Sequence, residues 1–228
     1  DCSLQRLRKR SNKEIRSARA PADVSHGDII VVESDETTHF SILDAKGNAV
    51  AVTTTLNGAY GSKVFVEEIG VFMNNEMDDF SSKPGEPNMF GLTGSEANSI
   101  APKKRMLSSM TPTIVEKDNK LYLIVGTPGG STIITSVFQT ILNVYEHGME
   151  MQAAVNAPRF HHQWLPDTVY YESGISTDTM GLLREMGHIV NAKPGRLGAT
   201  ESIQSNTNGV LFGAADPRRH GSGAVSQP

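Results

Sequence analysis

The sequence predicts an α+β fold, in which antiparallel strand hairpins and a few packed helices form separate layers. Two observations carry this. Alternating apolar and polar residues flank short turn signals at 39–55 and again at 113–125, the mark of hairpins. Apolar residues at helical spacing recur at 131–147, 151–156 and 178–186, each run closed by glycine or proline. No repeat at fixed spacing is present, and 228 residues hold one well-cored domain, with or without an extension.

Residues 1–20, rich in Arg, Lys and Ser, read as a helix remnant ending before Ala20-Pro21, and 21–36 read as an extended connector. Together they look like the tail of something larger. Phe40, Ile42 and Asp44 then lead into the turn Lys46-Gly47-Asn48, and Ala49 to Thr55 return from it. Thr37 thus begins one strand and Thr55 lies near the end of its partner, where the two can face each other. Residues 58–112 are rich in glycine and proline, with short strands predicted at 63–66 and 70–74. Long loops of this kind are more often functional than ornamental.

Thr113-Ile114-Val115 and 121–125 form a second hairpin around Asp118-Asn119, which runs into Gly126-Thr127-Pro128-Gly129-Gly130. A helix is predicted from about Ser131 to His147, with Ile134, Val137, Phe138, Ile141, Leu142 and Tyr145 toward the core and Gly148 as its stop. A shorter helix at 151–156 ends at Pro158, and a strand follows at 168–172. The helix from Asp178 to Met186 is capped by Ser176 or Thr177 and ended by Gly187. Strands near 188–192, 200–205 and 209–213 complete the set, and 217–228 reads as a polar tail.

The balance of 21 basic and 25 acidic residues, with a formal net charge of -4, gives no footprint for nucleic acid or a phospholipid surface. The local basic run at 6–10 reads as a solvated helix face or loose terminus rather than a targeting patch. The single cysteine, Cys2, excludes a disulfide within the chain. No apolar run approaches the roughly 20 residues that cross a bilayer, and 1–20 is too polar for a signal peptide. The chain is expected to be soluble, with any address label outside it. Its seven histidines lack metal-ligand spacing; His161-His162 are adjacent, and a structural role beside Trp164 is expected.

Four features could carry chemistry, each beside an ordinary alternative. Thr37 is either a strand former or a nucleophile whose base is its own α-amine, freed by a cut just before it. Gly129-Gly130, at the join of strand and helix, makes either a tight turn or a pair of N–H donors for a phosphate or an oxyanion. The phosphate reading is weakened because no Lys-Ser/Thr pair follows. The run 74–80 places Glu76, Asp78 and Asp79 together, as a solvated turn or as a site for an ammonium group; a metal would want more oxygen ligands. Ser108-Ser109, just after Lys104-Arg105, offers hydroxyls that suit a carboxylate, or is a polar loop.

Six stretches in order then resemble the small, catalytic subunit of the γ-glutamyltransferase (γ-glutamyl transpeptidase) family. They are Thr-Thr-His-Phe-Ser at 37–41, the Asp-x-x-Gly-Asn-Ala-Val-Ala-Val-Thr run at 44–53, and Asn-Asn-Glu-Met-Asp-Asp-Phe at 74–80. Lys-Arg-Met-Leu-Ser-Ser-Met at 104–110, Gly-Thr-Pro-Gly-Gly-Ser at 126–131 and Ala-Pro-Arg-Phe-His-His-Gln at 157–163 complete the set. The resemblance covers about 23–217. It implies an N-terminal nucleophile hydrolase fold, an αββα layered sandwich of which this chain supplies the catalytic half. Residues 1–36 would be the tail of the large subunit, 37–217 the catalytic small subunit, and 218–228 a polar tail.

Carried over residue by residue, Thr37 would be the nucleophile after self-cleavage of Glu36-Thr37, and Thr55 would orient its hydroxyl. Gly129 and Gly130 would supply the oxyanion hole. Asn57, Glu76 and Asp79 would hold the α-ammonium of a γ-glutamyl group, and Ser108 and Ser109 its α-carboxylate. The reaction implied is acyl transfer from glutathione to water or to an amino-acid or peptide acceptor, with no metal or organic cofactor. The large subunit from the same precursor, the implied partner, would add an arginine to the carboxylate site. Periplasmic or extracellular location is carried over with the family.

Phe90 stands on the loop over the site where several bacterial relatives carry tyrosine, and it lacks the hydroxyl that would bond an asparagine such as Asn57. A looser lid is expected. Two other readings compete: a relative that cleaves glutaryl cephalosporins or processes poly-γ-glutamate, and an uncleaved, inactive γ-glutamyl-binding fragment. The ammonium-type pair Glu76 and Asp79 argues against a glutaryl substrate, which has no ammonium.

Overall fold

The computed structural model describes residues 37–193 and 195–226. The expected features at 1–36, including the helix remnant, the basic run, Cys2 and Glu36, lie outside the described residues. The first hairpin pairs β1 (Thr38–Leu43) with β2 (Ala49–Thr54), in a register that sets Thr38 opposite Thr54. Its turn is closed by the Asp44 carboxylate, which accepts the N–H groups of Lys46 and Asn48, while Gly47 takes φ +87°. These short bonds suit a turn residue that competes with strand pairing.

Two short strands, β3 (Phe65–Val66) and β4 (Val71–Phe72), form a separate ribbon held by contacts among Tyr60, Phe65 and Phe72. The central sheet has four antiparallel strands in the order β11-β10-β6-β5. These are β5 (Thr113–Lys117), β6 (Lys120–Gly126), β10 (Glu201–Ser205) and β11 (Leu211–Ala215). The β5–β6 turn is Asp118-Asn119, both in the left-handed region at φ +53° and +58°, as a tight hairpin turn of two residues requires.

β6 is covered on both faces. Leu123 and Val125 point into an apolar cluster with Val137, Val144, Met151, Ala154 and Val155. Gly126, one position on, faces the other way, and a Cβ there would run into the His39 ring on β1. With a side-chain period of two, the helices therefore lie on one face of the sheet and the β1–β2 hairpin on the other. The layers run helices, four-stranded sheet, hairpin: an α+β arrangement in which the described residues supply one helical layer, one sheet and part of a second sheet.

The helical layer is α1 (Ile133–Tyr145) and α2 (Met151–Asn156). α1 starts later than the sequence predicts, after a 3-10 turn at Gly130–Thr132. Its inward face also differs. Ile133, Ser136, Val137, Thr140 and Val144 are buried, whereas Ile134, Phe138 and Tyr145 are exposed. The reason is close approach: Ser136 Oγ donates to the Leu197 carbonyl at 3.2 Å, and a Cβ on Gly198 would meet Ser136. Only small residues fit there, so the larger apolar stripe turns outward.

A smaller sheet, β7 (Phe160–His161), β8 (Val169–Tyr171) and β9 (Val190–Ala192), carries α3 (Thr177–Glu185) between its last two, parallel strands. Ser176 caps α3 by accepting the Thr179 N–H at 3.1 Å, and Gly187 ends it at φ +94°.

The tail boundary expected at 217 falls across a buried ionic lattice. Arg159, 1% exposed, donates to Asp216, Thr200 and the carbonyls of Val155 and Leu197. Arg218 makes a two-pronged contact to Glu172 at 2.8 and 2.7 Å and also bonds Asp216. Burial alone would raise the Asp216 carboxyl, but the neighbouring Arg159 and Arg218 outweigh it and hold it below the usual range. Residue 218, expected to begin the polar tail, is part of the packed body.

Candidate active site

The hairpin register decides where Thr37 and Thr55 sit. Continuing the Thr38–Thr54 pairing by one residue puts them side by side, and the Thr37 hydroxyl donates to Thr55 Oγ1 at 3.0 Å. Thr37 is buried. Thr55 Oγ1 also accepts the Asn57 N–H at 2.9 Å, so its lone pairs are used to hold both neighbours. Asn57 is in the left-handed region at φ +73°, a conformation asparagine tolerates.

From Asn57 the contacts run to the acidic turn. The Asn57 amide donates to the Asn75 carbonyl at 3.3 Å, the Gly58 N–H donates to Asn75 Oδ1 at 2.8 Å, and the Asn75 N–H donates to the Leu56 carbonyl. Glu76–Asp79 follow as one 3-10 turn. Burial, then the nearby Asp79 charge and a hydrogen bond with it, push the Glu76 carboxyl up to about 7. Asp79 is likewise raised, first by burial. Two carboxylates this close resist both being ionised, so the pair takes up a proton as pH falls toward about 7. A ligand ammonium would replace that proton.

The loop at 85–94 lies over these groups. Asn88 organises it, its Oδ1 accepting the N–H groups of Phe90 and Leu92 at 3.0 Å, and Asp78 Oδ2 accepts the Met89 N–H at 3.2 Å. Asn57, which lacks a hydroxyl partner at Phe90, instead directs its amide toward the Met89 sulfur at 3.7 Å. The Asn75 amide does the same at 3.6 Å. Gln163 donates to the Phe90 carbonyl at 3.4 Å. The contacts of this loop with Asn57 and Asn75 thus run through Met89, the residue next to Phe90.

Phe90 reaches the glycine pair. Gly129 has φ +138° and Gly130 φ +52°, and a Cβ on Gly130 would come within 2.9 Å of the Phe90 ring. Thr132 Oγ1 and N–H both donate to the Gly129 carbonyl, which fixes the turn. Among the described residues no acceptor takes the N–H of Gly129 or Gly130. Thr37, Thr55, Asn57, the acidic turn, Phe90 and Gly130 therefore form one continuous set of contacts. Among the described residues no hydrogen bond joins Ser108 or Ser109 to it: Ser108, five residues before β5, accepts the Met110 N–H at 3.2 Å.

Beneath the site, His39 is buried and bonded at both nitrogens. Nδ1 lies 2.7 Å from Thr53 Oγ1 and Nε2 lies 3.1 Å from Ser41 Oγ. Ser41 gives its own proton to the Glu201 carbonyl, so it must accept from His39, which places the ring proton on Nε2 and leaves Nδ1 to accept from Thr53. Burial lowers the His39 pKa to about 4. His161 bonds Thr135 and Gln163, a structural position, while Trp164 is exposed.

Sequence reasoning passed over Asn75, Met89 and Arg219, whose Nη1 donates to the Thr37 carbonyl at 2.9 Å. Asn75 lay inside a recognised run, so its place was readable there; the other two had no local signal.

Comparisons with known proteins agree on one kinship. A family model described as Gamma-glutamyltranspeptidase matches residues 3–226. The glutathione hydrolase proenzyme of Escherichia coli (strain K12) is 49% identical over 205 residues, which are 90% of this chain and 35% of that protein. A mutant gamma-glutamyltranspeptidase from Helicobacter pylori superposes with a TM-score of 0.76 and 50% identity, over 80% of this chain and 100% of that one. One from Pseudomonas nitroreducens gives 0.77 and 48%, over 84% and 100%. The chain spans about a third of the length of the curated relatives it matches.

Proposed function

This chain belongs to the gamma-glutamyltranspeptidase family, and on that premise we propose that it is the catalytic portion of a proenzyme that transfers γ-glutamyl groups. Thr37 is the nucleophile, exposed as an N-terminus when the Glu36-Thr37 bond is cut. Its α-amine takes the hydroxyl proton as Oγ1 attacks the γ-carbonyl of the donor, and the N–H groups of Gly129 and Gly130 receive the oxyanion. Collapse expels the amine of the leaving group, which takes the proton back from the α-ammonium, and leaves a γ-glutamyl ester on Thr37. Water then gives glutamate; an amine acceptor gives a new γ-glutamyl amide. Glutathione is the donor class we assign.

Thr55 orients the attacking hydroxyl. Asn57, Glu76 and Asp79 take the donor's α-ammonium; Ser108 and Ser109 are assigned its α-carboxylate on the family resemblance, not on a contact with the other site residues. The observation that carries the proposal is the hydrogen-bonded path from the Thr37 hydroxyl through Thr55 and Asn57 to Asn75, next to the carboxylate pair that holds a proton near pH 7. A pocket so built wants an ammonium group beside the reacting centre. A glutaryl donor has none, which disfavours the acylase reading.

The partner we assign is the longer preceding part of the same precursor. The greater length of the relatives supports this, as do Phe40, Ile42 and Val50 on the outer face of the hairpin, and Ile134, Phe138 and Tyr145 on α1, which stand exposed. The test is release of a chromogenic amine from a γ-glutamyl anilide by the complete proenzyme, with mass spectrometry of its fragments. We expect a new N-terminus at Thr37, and loss of both cleavage and turnover in Thr37→Ala. Turnover persisting in that variant would refute the mechanism.

A further inference from the structure

The end of the chain returns to the start of β1. β11 ends at Ala215, and the next residues are fixed by the ionic lattice: Asp216 and Arg218 bond each other, Arg159 and Glu172. Arg219 is the first side chain to leave that lattice. Its N–H donates to the Asp216 carbonyl at 3.3 Å, which ties its backbone to the lattice, and its guanidinium Nη1 donates to the Thr37 carbonyl at 2.9 Å. The two residues are 182 positions apart, and Arg219 is partly buried.

The consequence depends on Thr37 being the N-terminal nucleophile, as proposed above. A terminal residue is held covalently through its carbonyl side alone, and chain ends fray unless they are tied down. Rotation about the Cα–C bond of Thr37 swings its amine and its hydroxyl together. The bond from Thr37 to Thr55 restrains the hydroxyl only until the proton moves. A donor on the carbonyl restrains the peptide plane throughout the reaction, and a guanidinium, always charged, does so more strongly than a neutral donor.

We propose that Arg219 is a positioning residue for the acyl transfer: it pins the Thr37 carbonyl and thereby fixes the amine and hydroxyl against the incoming γ-carbonyl. It touches no substrate and exchanges no proton. Its charge has a second effect with a definite sign. A cation near an amine disfavours the ammonium form, so Arg219 helps keep the Thr37 amine a free base. The other charges around it are Glu201 on β10, Asp216 and Arg218 in the turn after β11, and His39 on β1, which burial keeps neutral above pH 5. All of these are common to the wild type and to the variants below.

The experiment uses the complete proenzyme with Arg219→Met and Arg219→Lys, a γ-glutamyl anilide as substrate, and melting temperature as the control for folding. Misplacement of a reacting group by about 1 Å costs up to ~100-fold, so we expect Arg219→Met to lose at least ~10-fold in kcat with KM nearly unchanged. The acid limb of its kcat/KM profile moves to higher pH, and Arg219→Lys recovers most of kcat. Self-cleavage that fails in the Met variant but not in the Lys variant, at an unaltered melting temperature, supports the same conclusion because the same hydroxyl attacks in both reactions. An active wild type with an equally active Arg219→Met, or a loss that Lys does not repair and that follows a lowered melting temperature, overturns the proposal alone. A wild-type proenzyme that releases no amine overturns the function and this proposal with it.

Discussion

Glu76 is a residue whose surroundings conflict with its charge. Its pKa rises from 4.5 to about 7, chiefly by burial and then by Asp79. The folded protein therefore keeps a proton that the unfolded chain releases, and stability falls as pH rises from about 4.5 through 7. Glu76→Gln removes that penalty. Because the group is partly exposed and screened, the gain is about 1 kcal/mol, a rise of ~2–4 °C in melting temperature at pH 8 and none at pH 4.5. With Glu76 in the role proposed for it, the same change weakens the hold on a donor ammonium, and KM for a γ-glutamyl donor is expected to rise by roughly tenfold at pH 8, where steady-state kinetics can read it. Glu76 and Asp79 were legible in the sequence because three carboxylates in four residues are conspicuous. The raised pKa was not, since its largest cause is burial, which only the folded chain provides.

At the scale of elements, the first hairpin is positioned by one glycine. Gly126, the last residue of β6, leaves room for the His39 ring, and a methyl group there would collide with it. Overpacking of this kind costs ~1–3 kcal/mol, and here it presses on the strand that carries Thr37. We expect Gly126→Ala to lower the denaturant midpoint accordingly and to reduce turnover more than donor binding. Hairpins and turns were readable because alternation, Gly47 and Asp118-Asn119 act over a few residues. The facing of α1 was misread for an equally physical reason. The helix has apolar residues on more than one side, and the inward side was chosen by Ser136, small enough to let Gly198 approach, rather than by hydrophobicity. Ser108 and Ser109 were found by motif alone, and nothing local draws them to Thr37.

In the whole molecule, the ionic lattice joins the end of α2, the end of β8, the loop at 197–200 and the turn after β11. Arg159, Arg218, Glu172 and Asp216 balance in charge, and their bonds to backbone groups satisfy a largely buried region. Removing one member leaves a buried charge unmatched, which costs about 3–5 kcal/mol. We expect Asp216→Asn to lose stability on that order in equilibrium unfolding, and to loosen Arg219 with it. The sign in pH follows from the depressed Asp216 pKa: the stabilisation is present above the ordinary carboxylate range and is lost as pH falls through the lowered value.

The sequence by itself determined the hairpins, their turns and therefore the apposition of Thr37 and Thr55, because strand period and turn conformation are properties of a few neighbouring residues. It also carried the family resemblance, in runs short enough to read directly. Tertiary structure alone decided which face of α1 is buried, that the Met89 sulfur meets the Asn57 and Asn75 amides, and that Arg219 reaches the Thr37 carbonyl. Those contacts join residues far apart in the chain, and they exist only once the sheet, the helices and the closing turn have packed together.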